Sequence, residues 1–333
     1  MLDYSFKECI IYNKRCIKIH GRMCMNKVFI DGSAGTTGLR IVERLSARDD
    51  LEIVKISEEN RKILEKRAEA ANSADLVFLC LPDAAAKEIV PLIHKNVKIC
   101  DTSTAHRTAD GWVYGFAEIA NRRDALKTAT RTAVPGCHAS GFISLAAPLV
   151  EMDILPKNAQ VSAYSLTGYT GGGKSMIAAY EDGSRPISYD APRAYGLSLK
   201  HKHLPEMKAV SGLEHAPLFS PIVADFPCGM AVSIPLFKSM VGGADGKTVA
   251  DALAQYYKGE AGIKVHALGE MPQDGFLSSN MLAGTDKMEL FIFESDEQIL
   301  LTSVFDNLGK GSSGAAIQCM NIMLGLDERK GLE

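Results

Sequence analysis

A chain of 333 residues, 46% hydrophobic and 23% charged, is long enough for two cores of ordinary size and reads as a soluble globular protein. A net charge of −3 and an isoelectric point near 6.3 give no electrostatic reason to expect nucleic acid or an anionic membrane surface as a partner. No apolar run reaches the roughly 18 to 20 residues that span a bilayer, and the eight cysteines show neither a CxxC pair nor a repeating spacing, which argues against a zinc ribbon or a disulfide framework and fits a reducing, cytoplasmic compartment.

Residues 1–24 hold Cys9, Cys16 and Cys24 together with Lys7, Lys14, Arg15, Lys18 and Arg22, and Met23 and Met25 directly precede the first convincing strand. Asp3, Glu8 and the lack of serine enrichment argue against a transit peptide, and no apolar core with a small-residue cleavage site marks a secretory signal. The segment reads as an upstream extension with Met25 as an alternative start; the other reading is an ordered extra strand at 10–12 and 17–19.

The run 27–31 predicts a strand, followed by Gly32, Ser33, Ala34, Gly35, Thr36, Thr37 and Gly38 and then Leu39, Ile41, Val42 and Leu45 at helical spacing. Strand, glycine loop and helix form the context of a dinucleotide-binding turn, where glycines let the backbone approach a pyrophosphate and the helix N-terminus faces its charge. The spacing is G-x-x-G-x-x-G and not the usual G-x-G-x-x-G, so an ordinary glycine-rich loop is the competing reading. A second strand over 51–56 ends at Ser57, with Arg61 shortly after; a hydroxyl and a guanidinium suit the 2′-phosphate of NADP better than the bare ribose of NAD.

The nearly continuous apolar run 74–82 predicts a parallel strand covered on both faces, 83–92 a helix capped by Asp83, and 97–101 another strand. Repeated strand and helix imply a doubly wound α/β domain of the Rossmann kind. Cys80 and Cys100, inside strands, read as packing residues. Arg107 follows a strand in a polar loop, where it can grip a phosphate or carboxylate or simply be a solvated surface arginine.

At 132–137 a β-type run is cut off by Pro135-Gly136, and a helix-like run over 139–149 begins at once, placing Cys137 at a helix mouth. Unpaired N–H groups and the helix dipole there lower a thiol's pKa and favour the nucleophilic thiolate; the alternative is a small buried cysteine. Residues 159–166 alternate like an antiparallel strand, and Gly168 to Ser175 satisfy G-x-x-x-x-G-K-S, read as a flexible glycine loop near the site with Lys174 as a substrate contact.

Leu197, Leu199, His201 and His203 alternate with polar residues, which puts both histidines on one strand face, and Pro205 opens a short helix. With no third ligand at zinc spacing, proton transfer is favoured over metal binding, and no metal is expected. Strands at 223–226 and 230–236, a helix at 248–257 and a hairpin-like pair at 288–293 and 298–304 imply a mixed or antiparallel sheet. Residues 307–318 form a glycine-rich loop opening a last helix that runs to about Leu324 and holds a buried Cys319.

The loop Gly32 to Gly38, the turn Pro135-Gly136-Cys137, the segment His201-Lys202-His203-Leu204-Pro205-Glu206 and the loop Asn307-Leu308-Gly309-Lys310-Gly311 occur in the order seen in the N-acetyl-γ-glutamyl-phosphate reductases, shorter variety, which the chain resembles from Met25 to about Leu326. The architecture is also similar to aspartate-semialdehyde dehydrogenase and, more distantly, glyceraldehyde-3-phosphate dehydrogenase. The resemblance implies a division into an extension (1–24), an NADP-binding domain (25–136), a catalytic α+β substrate and dimerisation domain (137–304) and a C-terminal helix returning to the first domain (305–333).

It further implies reductive dephosphorylation in arginine biosynthesis: Cys137 displaces inorganic phosphate from N-acetylglutamyl 5-phosphate, and NADPH reduces the thioester to the semialdehyde. His203 or His201 moves protons, and helix N–H groups near Cys137 steady the oxyanion. Ser103 and Arg107 match the phosphate-binding position, Asn307, Gly309 and Gly311 would lie against the nicotinamide, and a homo-oligomer, dimer or tetramer, is implied. His138 departs from the aromatic residue of the longer variety and could modulate the thiolate or cap the helix. The alternatives are a reductase of another acyl phosphate, such as the aspartate-semialdehyde type, and a non-catalytic NADP-binding sensor.

Overall fold

The computed structural model describes residues 25–333, so the extension read at 1–24, and with it the alternative reading of an extra strand at 10–12 and 17–19, lies outside the described residues. Strands β1 (Asn26–Asp31), β2 (Leu51–Val54), β3 (Leu76–Leu79), β4 (Lys98–Asp101), β5 (Val113–Tyr114) and β6 (Arg131–Ala133) form an all-parallel sheet in the order β2-β1-β3-β4-β6-β5. Helices α1 (Thr36–Ser46), α2 (Leu64–Asn72), α3 (Asp83–Ile89) and α4 (Arg122–Thr128) fall between them, as a doubly wound domain requires.

Period-two alternation sorts the apolar side chains onto two faces. Val28, Ile30, Leu76, Phe78 and Cys100 pack with Ile41 and Leu45 of α1, whereas Phe29, Val77, Leu79 and Ile99 pack with Ala71 of α2 and Ile89 of α3. Both faces are therefore dry.

Asp83 does not cap α3. Pro82 occupies that position, and the Asp83 carboxylate instead accepts the Thr104 N–H at 2.9 Å and the Thr104 hydroxyl, tying α3 to the loop after β4.

The second sheet is seven-stranded and mixed, and its remaining elements are α5 (Cys137–Glu151), β7 (Ser162–Gly168), α6 (Gly173–Glu181), β8 (Arg193–Ala194), α7 (Leu204–Ser211), β9 (Leu218–Ala224), β10 (Met230–Phe237), α8 (Gly246–Tyr256), β11 (Ile263–Val265), β12 (Met288–Glu294) and β13 (Gln298–Phe305). The order is β11-β12-β13-β10-β7-β9-β8, and the expected hairpin is the antiparallel pair β12 and β13. The strand expected to be antiparallel, β7, runs antiparallel to β10 but parallel to β9.

Helix α5 is buried on every side from His138 to Val150 and lies on β10 and β13. It comes this close because Gly141 has no side chain: a Cβ there would stand 2.5 Å from Val232 Cγ2. Finally α9 (Gly314–Leu324), preceded by a π turn over Gly309–Ser313, covers β3 and β4 of the first sheet.

Three local expectations are corrected. The stretch from Gly168 to Ser175 is not a flexible loop but a 3-10 turn, Tyr169–Gly172, running into α6. Residues 197–203 form no strand: Leu199 sits at φ +57° and both leucines of the supposed apolar stripe are exposed. The strand placed at 223–226 is β9, which starts at Leu218 and carries Pro221 within it.

Candidate active site

A cleft of about 450 Å³ runs between the two sheets from the glycine loop to Cys137. Gly35, Thr36, Thr37 and Gly38 line one end, while Ser33 and Ala34 are exposed and Gly32 lies beneath. Gly32 has φ +82°, and a Cβ there would meet the Cys80 carbonyl oxygen at 2.2 Å; one on Gly38 would meet the Gly32 oxygen at 2.4 Å. The loop is thus pressed close on the end of β3 and on itself, closed by the Gly35 N–H donating to the Gly32 carbonyl at 2.9 Å, and it opens α1 at the cleft, a cradle that fits the pyrophosphate of a dinucleotide. Cys80 falls just past β3 and lines this cleft, so it is more than strand packing.

Ser57 and Arg61 are exposed beyond the end of β2 and outside the cleft lining, with Arg61 Nε paired to Glu58 Oε2 at 2.7 Å. The carboxylate at the end of β1, Asp31, is buried and held by Arg67 of α2 at 2.8 Å.

Beyond β4, Asp101 organises the next wall. Its Oδ2 accepts the Ser103 hydroxyl at 2.8 Å and faces His106 Nδ1 at 2.6 Å, and Oδ1 accepts the Ser103 N–H at 2.9 Å. Arg107 is buried: Nε donates to the Val134 carbonyl (2.9 Å), Nη2 to the Thr102 carbonyl (3.0 Å) and Nη1 to Glu206 Oε1 (2.6 Å). It is not the solvated surface arginine that was the competing reading.

Cys137 is the first residue of α5, half-buried at the far end. The expected lowering of its thiol pKa does not hold: burial pushes the thiol up, outweighing the His138 N–H, Arg107 and Lys202, which pull it down, while Glu206 pushes it up. The helix mouth therefore moderates the cost of a thiolate without reversing it.

His203 Nε2 and Arg107 Nη1 reach within 2.5 and 2.4 Å of where a Cβ on Gly136 would stand, so only glycine lets both lie against the turn that carries Cys137. The Gly136 N–H donates to Glu206 Oε2 (3.1 Å), which also accepts the Tyr114 hydroxyl (2.6 Å).

His138, His201 and His203 cluster here, with ring centroids 5.2, 5.6 and 4.7 Å apart. His201 Nδ1 accepts the His203 N–H at 3.2 Å, which leaves the neutral ring's hydrogen on Nε2. Burial holds His203 well below the ordinary histidine range, reinforced by Arg107, His138, His201 and Lys202, and its Nδ1 is buried without a partner. His201 is lowered to about 4 by burial and then Lys202 and Arg107. His138, lowered to about 3 by burial first, bridges Ser165 Oγ (2.8 Å) and Tyr195 Oη (2.6 Å). It caps nothing; the residue before α5 is Gly136.

The closing loop completes the cleft. Asn307 Oδ1 accepts the Gly229 N–H (2.8 Å) and Nδ2 donates to Thr170 Oγ1 (3.1 Å), and Ser312 Oγ lies 3.1 Å from Thr37 Oγ1. A Cβ on Gly311 would meet Cys137 Cβ at 3.0 Å, so this glycine sits directly on the cysteine. Gly309 lies outside the cleft, pressed instead on the Thr285 carbonyl, 2.1 Å from where its Cβ would stand. Lys174 likewise misses the cleft: on the first turn of α6 it is exposed and is not among the lining residues.

The structure brings Gly35 to Gly38, Cys137, His201, His203, Ser103, Arg107, Asn307 and Gly311 into one cleft and leaves Gly32, Ser33, Ala34, Ser57, Arg61, Gly309 and Lys174 outside its lining. Sequence reasoning quoted Glu206 and Lys202 without giving either a role. An acid in the first turn after Pro205, beside two histidines, was the available signal for the first.

Two family models match the chain: the semialdehyde dehydrogenase NAD binding domain over residues 27–129 and the semialdehyde dehydrogenase dimerisation domain over 137–307. N-acetyl-gamma-glutamyl-phosphate reductase of Trichormus variabilis is 45% identical over 318 residues, 92% of this chain and 99% of that one. The protein of the same name from Brucella anthropi is 46% identical over 306 residues, 90% and 98% of the two chains. Among solved structures, aspartate semialdehyde dehydrogenase II of Vibrio cholerae complexed with ASA is similar in fold, with TM-score 0.67 and 15% identity over 90% of this chain and 98% of that one. Aspartate semialdehyde dehydrogenase of Candida albicans with NADP gives 0.63 at 15% identity over the same shares.

Proposed function

The chain belongs to the N-acetyl-γ-glutamyl-phosphate reductases of the semialdehyde dehydrogenase family, and from that premise we propose that it reduces N-acetylglutamyl 5-phosphate to N-acetylglutamate 5-semialdehyde with release of inorganic phosphate, a step of arginine biosynthesis. What supports the reading is the meeting of a dinucleotide loop, Cys137 and His203 in one cleft, together with 45% identity to a relative of that name.

Because burial holds the thiol up, Cys137 needs a base, and His203, neutral at working pH with Nε2 beside Gly136, is the group in reach. Sγ attacks the acyl carbon, the bond from that carbon to the phosphate oxygen breaks, and the thiol proton passes through the imidazole to the departing phosphate. The product on the enzyme is a thioester. First-turn N–H groups of α5, with the His138 N–H already turned toward Sγ, steady the oxyanion at the acyl carbon.

Bound NADPH supplies the hydride that reduces the thioester carbon. The C–S bond then breaks, its electron pair returns to Sγ, the aldehyde leaves, and a solvent proton restores the thiol. The free N–H groups of Arg107 take the phosphate beside Ser103, whose own hydroxyl and N–H go to Asp101; Gly35 to Gly38 would hold the pyrophosphate of the cofactor, and Asn307 and Gly311 its nicotinamide end. His201 orders the backbone of His203 and stands as its support. A preference for NADP over NAD would rest on Arg61, beyond β2 and now paired with Glu58, as the cation for a 2′-phosphate.

The outer face of the second sheet exposes Tyr164, Leu218 and Phe237 within the stretch that matches the dimerisation domain, and the protein works as a homo-oligomer through it. The test is phosphate-dependent reduction of NADP⁺ by N-acetylglutamate 5-semialdehyde against aspartate semialdehyde. A strong preference for the former is expected, and equal rates overturn the reading.

A further inference from the structure

The substrate of the proposed reaction carries an anion at each end of its carbon chain, the acyl phosphate under attack and an α-carboxylate. The site described so far accounts for one of them. Among the described residues lining the cleft, only Arg107 and Lys202 carry a full positive charge.

Arg107 is largely committed. Of its five N–H donors three are taken by Glu206, Val134 and Thr102, and its charge is matched by the buried Glu206 carboxylate. The two donors left are on different Nη atoms, a spacing suited to phosphate.

Lys202 is the opposite case: exposed, lining the cleft between His201 and His203, with no ion-pair partner among the described residues. The three histidines beside it are neutral, and no carboxylate at this end is left over, since Glu206 is paired and Asp83 lines the cleft only at the β3 side, bound to Thr104. A flexible ammonium on a chain that is otherwise fixed can follow the far end of a substrate whose acyl carbon is held at Cys137.

Resting on the reaction proposed above, we infer that Lys202 is the specificity-determining residue that recognises the substrate's α-carboxylate. The role requires a cation at this position and no particular hydrogen-bond geometry, so arginine substitutes for it better than any neutral residue.

The experiment compares two aldehydes in the phosphate-dependent oxidation: N-acetylglutamate 5-semialdehyde and 4-acetamidobutanal, the same molecule without the carboxylate. The wild type discriminates strongly between them. Lys202→Met raises KM for the carboxylated aldehyde by about tenfold or more, the usual scale for losing a charged hydrogen bond, leaves KM for 4-acetamidobutanal unchanged, and so collapses the discrimination. Lys202→Arg keeps most of it. KM for inorganic phosphate and affinity for NADPH stay as in the wild type, the latter also reporting an intact fold. A KM rise of equal size for both aldehydes, a rise in the phosphate KM, or no change at all overturns the assignment. If the wild type fails to oxidise N-acetylglutamate 5-semialdehyde, the proposed reaction falls first, independently of Lys202.

Discussion

Glu206 Oε1 accepts from Arg107 Nη1 at 2.6 Å, with 1% and 7% of the two side chains exposed, joining α7 to the loop after β4 beneath the Cys137 turn. The same carboxylate takes the Tyr114 hydroxyl and the Gly136 N–H through Oε2. Removing one member of a buried pair leaves the other charge unmatched, at a cost of about 3–5 kcal/mol. Glu206→Ala should lower the denaturant midpoint accordingly and raise the KM for phosphate, because Arg107 loses the contact that aims it. Glu206→Gln, still able to accept from Gly136 or Tyr114, should lose less. Urea unfolding of both variants checks the order; an alanine variant as stable as the wild type sinks the argument.

His138 gives a pH signature. Its folded pKa is depressed to about 3 by burial, while in the unfolded chain it is ordinary, near 6.5. Between those values the unfolded state binds the extra proton, so the stability associated with the neutral ring is complete above pH 6.5 and is lost as pH falls toward 3. The slope for one such group is about 1.4 kcal/mol per pH unit. His138→Gln removes that proton from the balance, and the difference between wild type and variant should shrink by about this slope from pH 6 to pH 4 in parallel denaturant titrations. Parallel curves across that window contradict it.

The glycine loop makes a cofactor-specific prediction. A Cβ on Gly38 meets backbone, the Gly32 oxygen at 2.4 Å and Ser33 Cα at 2.9 Å, neither of which can swing aside. Overpacking of this kind costs about 1–3 kcal/mol, here exerted on the cradle. Gly38→Ala should weaken NADPH binding about tenfold while the rate of Cys137 alkylation by iodoacetamide stays unchanged. A loss of both together would mean general unfolding.

How much of this could be read in the chain depends on pattern strength. The run 27–31 with Gly32 to Gly38 and the apolar spacing of α1 was legible because strand, turn and helix signals agree there. Helix α2 was not read: over Leu64–Asn72 its buried face is Arg67, Ala68 and Ala71, too small and too polar to register as an apolar stripe. Strand β5, at Val113–Tyr114, is too short for any period. Pro221 hid the start of β9, since proline argues against a strand bordered on both sides. His201 and His203 do converge, but through an irregular segment ending at the residue that caps α7, not by strand alternation. The exclusion of Lys174 and Gly309 and the pairing of Glu206 with Arg107 depend on long-range packing that local spacing does not encode.

The thiol itself supplies the last prediction. Burial holds Cys137 above the ordinary thiol range and holds His203 well below the ordinary imidazole range, so at neutral pH both rest uncharged, and in the proposed reaction the proton has to leave Sγ as the attack proceeds and not before it. Cys137→Ser keeps the shape of the cleft but presents a far weaker nucleophile. NADPH affinity should hold within about twofold while phosphate-dependent oxidation falls at least about a thousandfold, the scale of losing a covalent nucleophile. His203→Asn keeps the nucleophile and removes its base, so the variant reacts only through thiolate formed by solvent. Its rate should climb about tenfold per pH unit on the alkaline side until the raised thiol titrates, whereas the wild-type rate stays level from neutral pH upward and declines only on the acid side, well below the ordinary histidine range, as the ring protonates. Should His203→Asn retain the wild-type profile, the proton goes elsewhere, and His201→Asn measured over the same range identifies whether that histidine takes it.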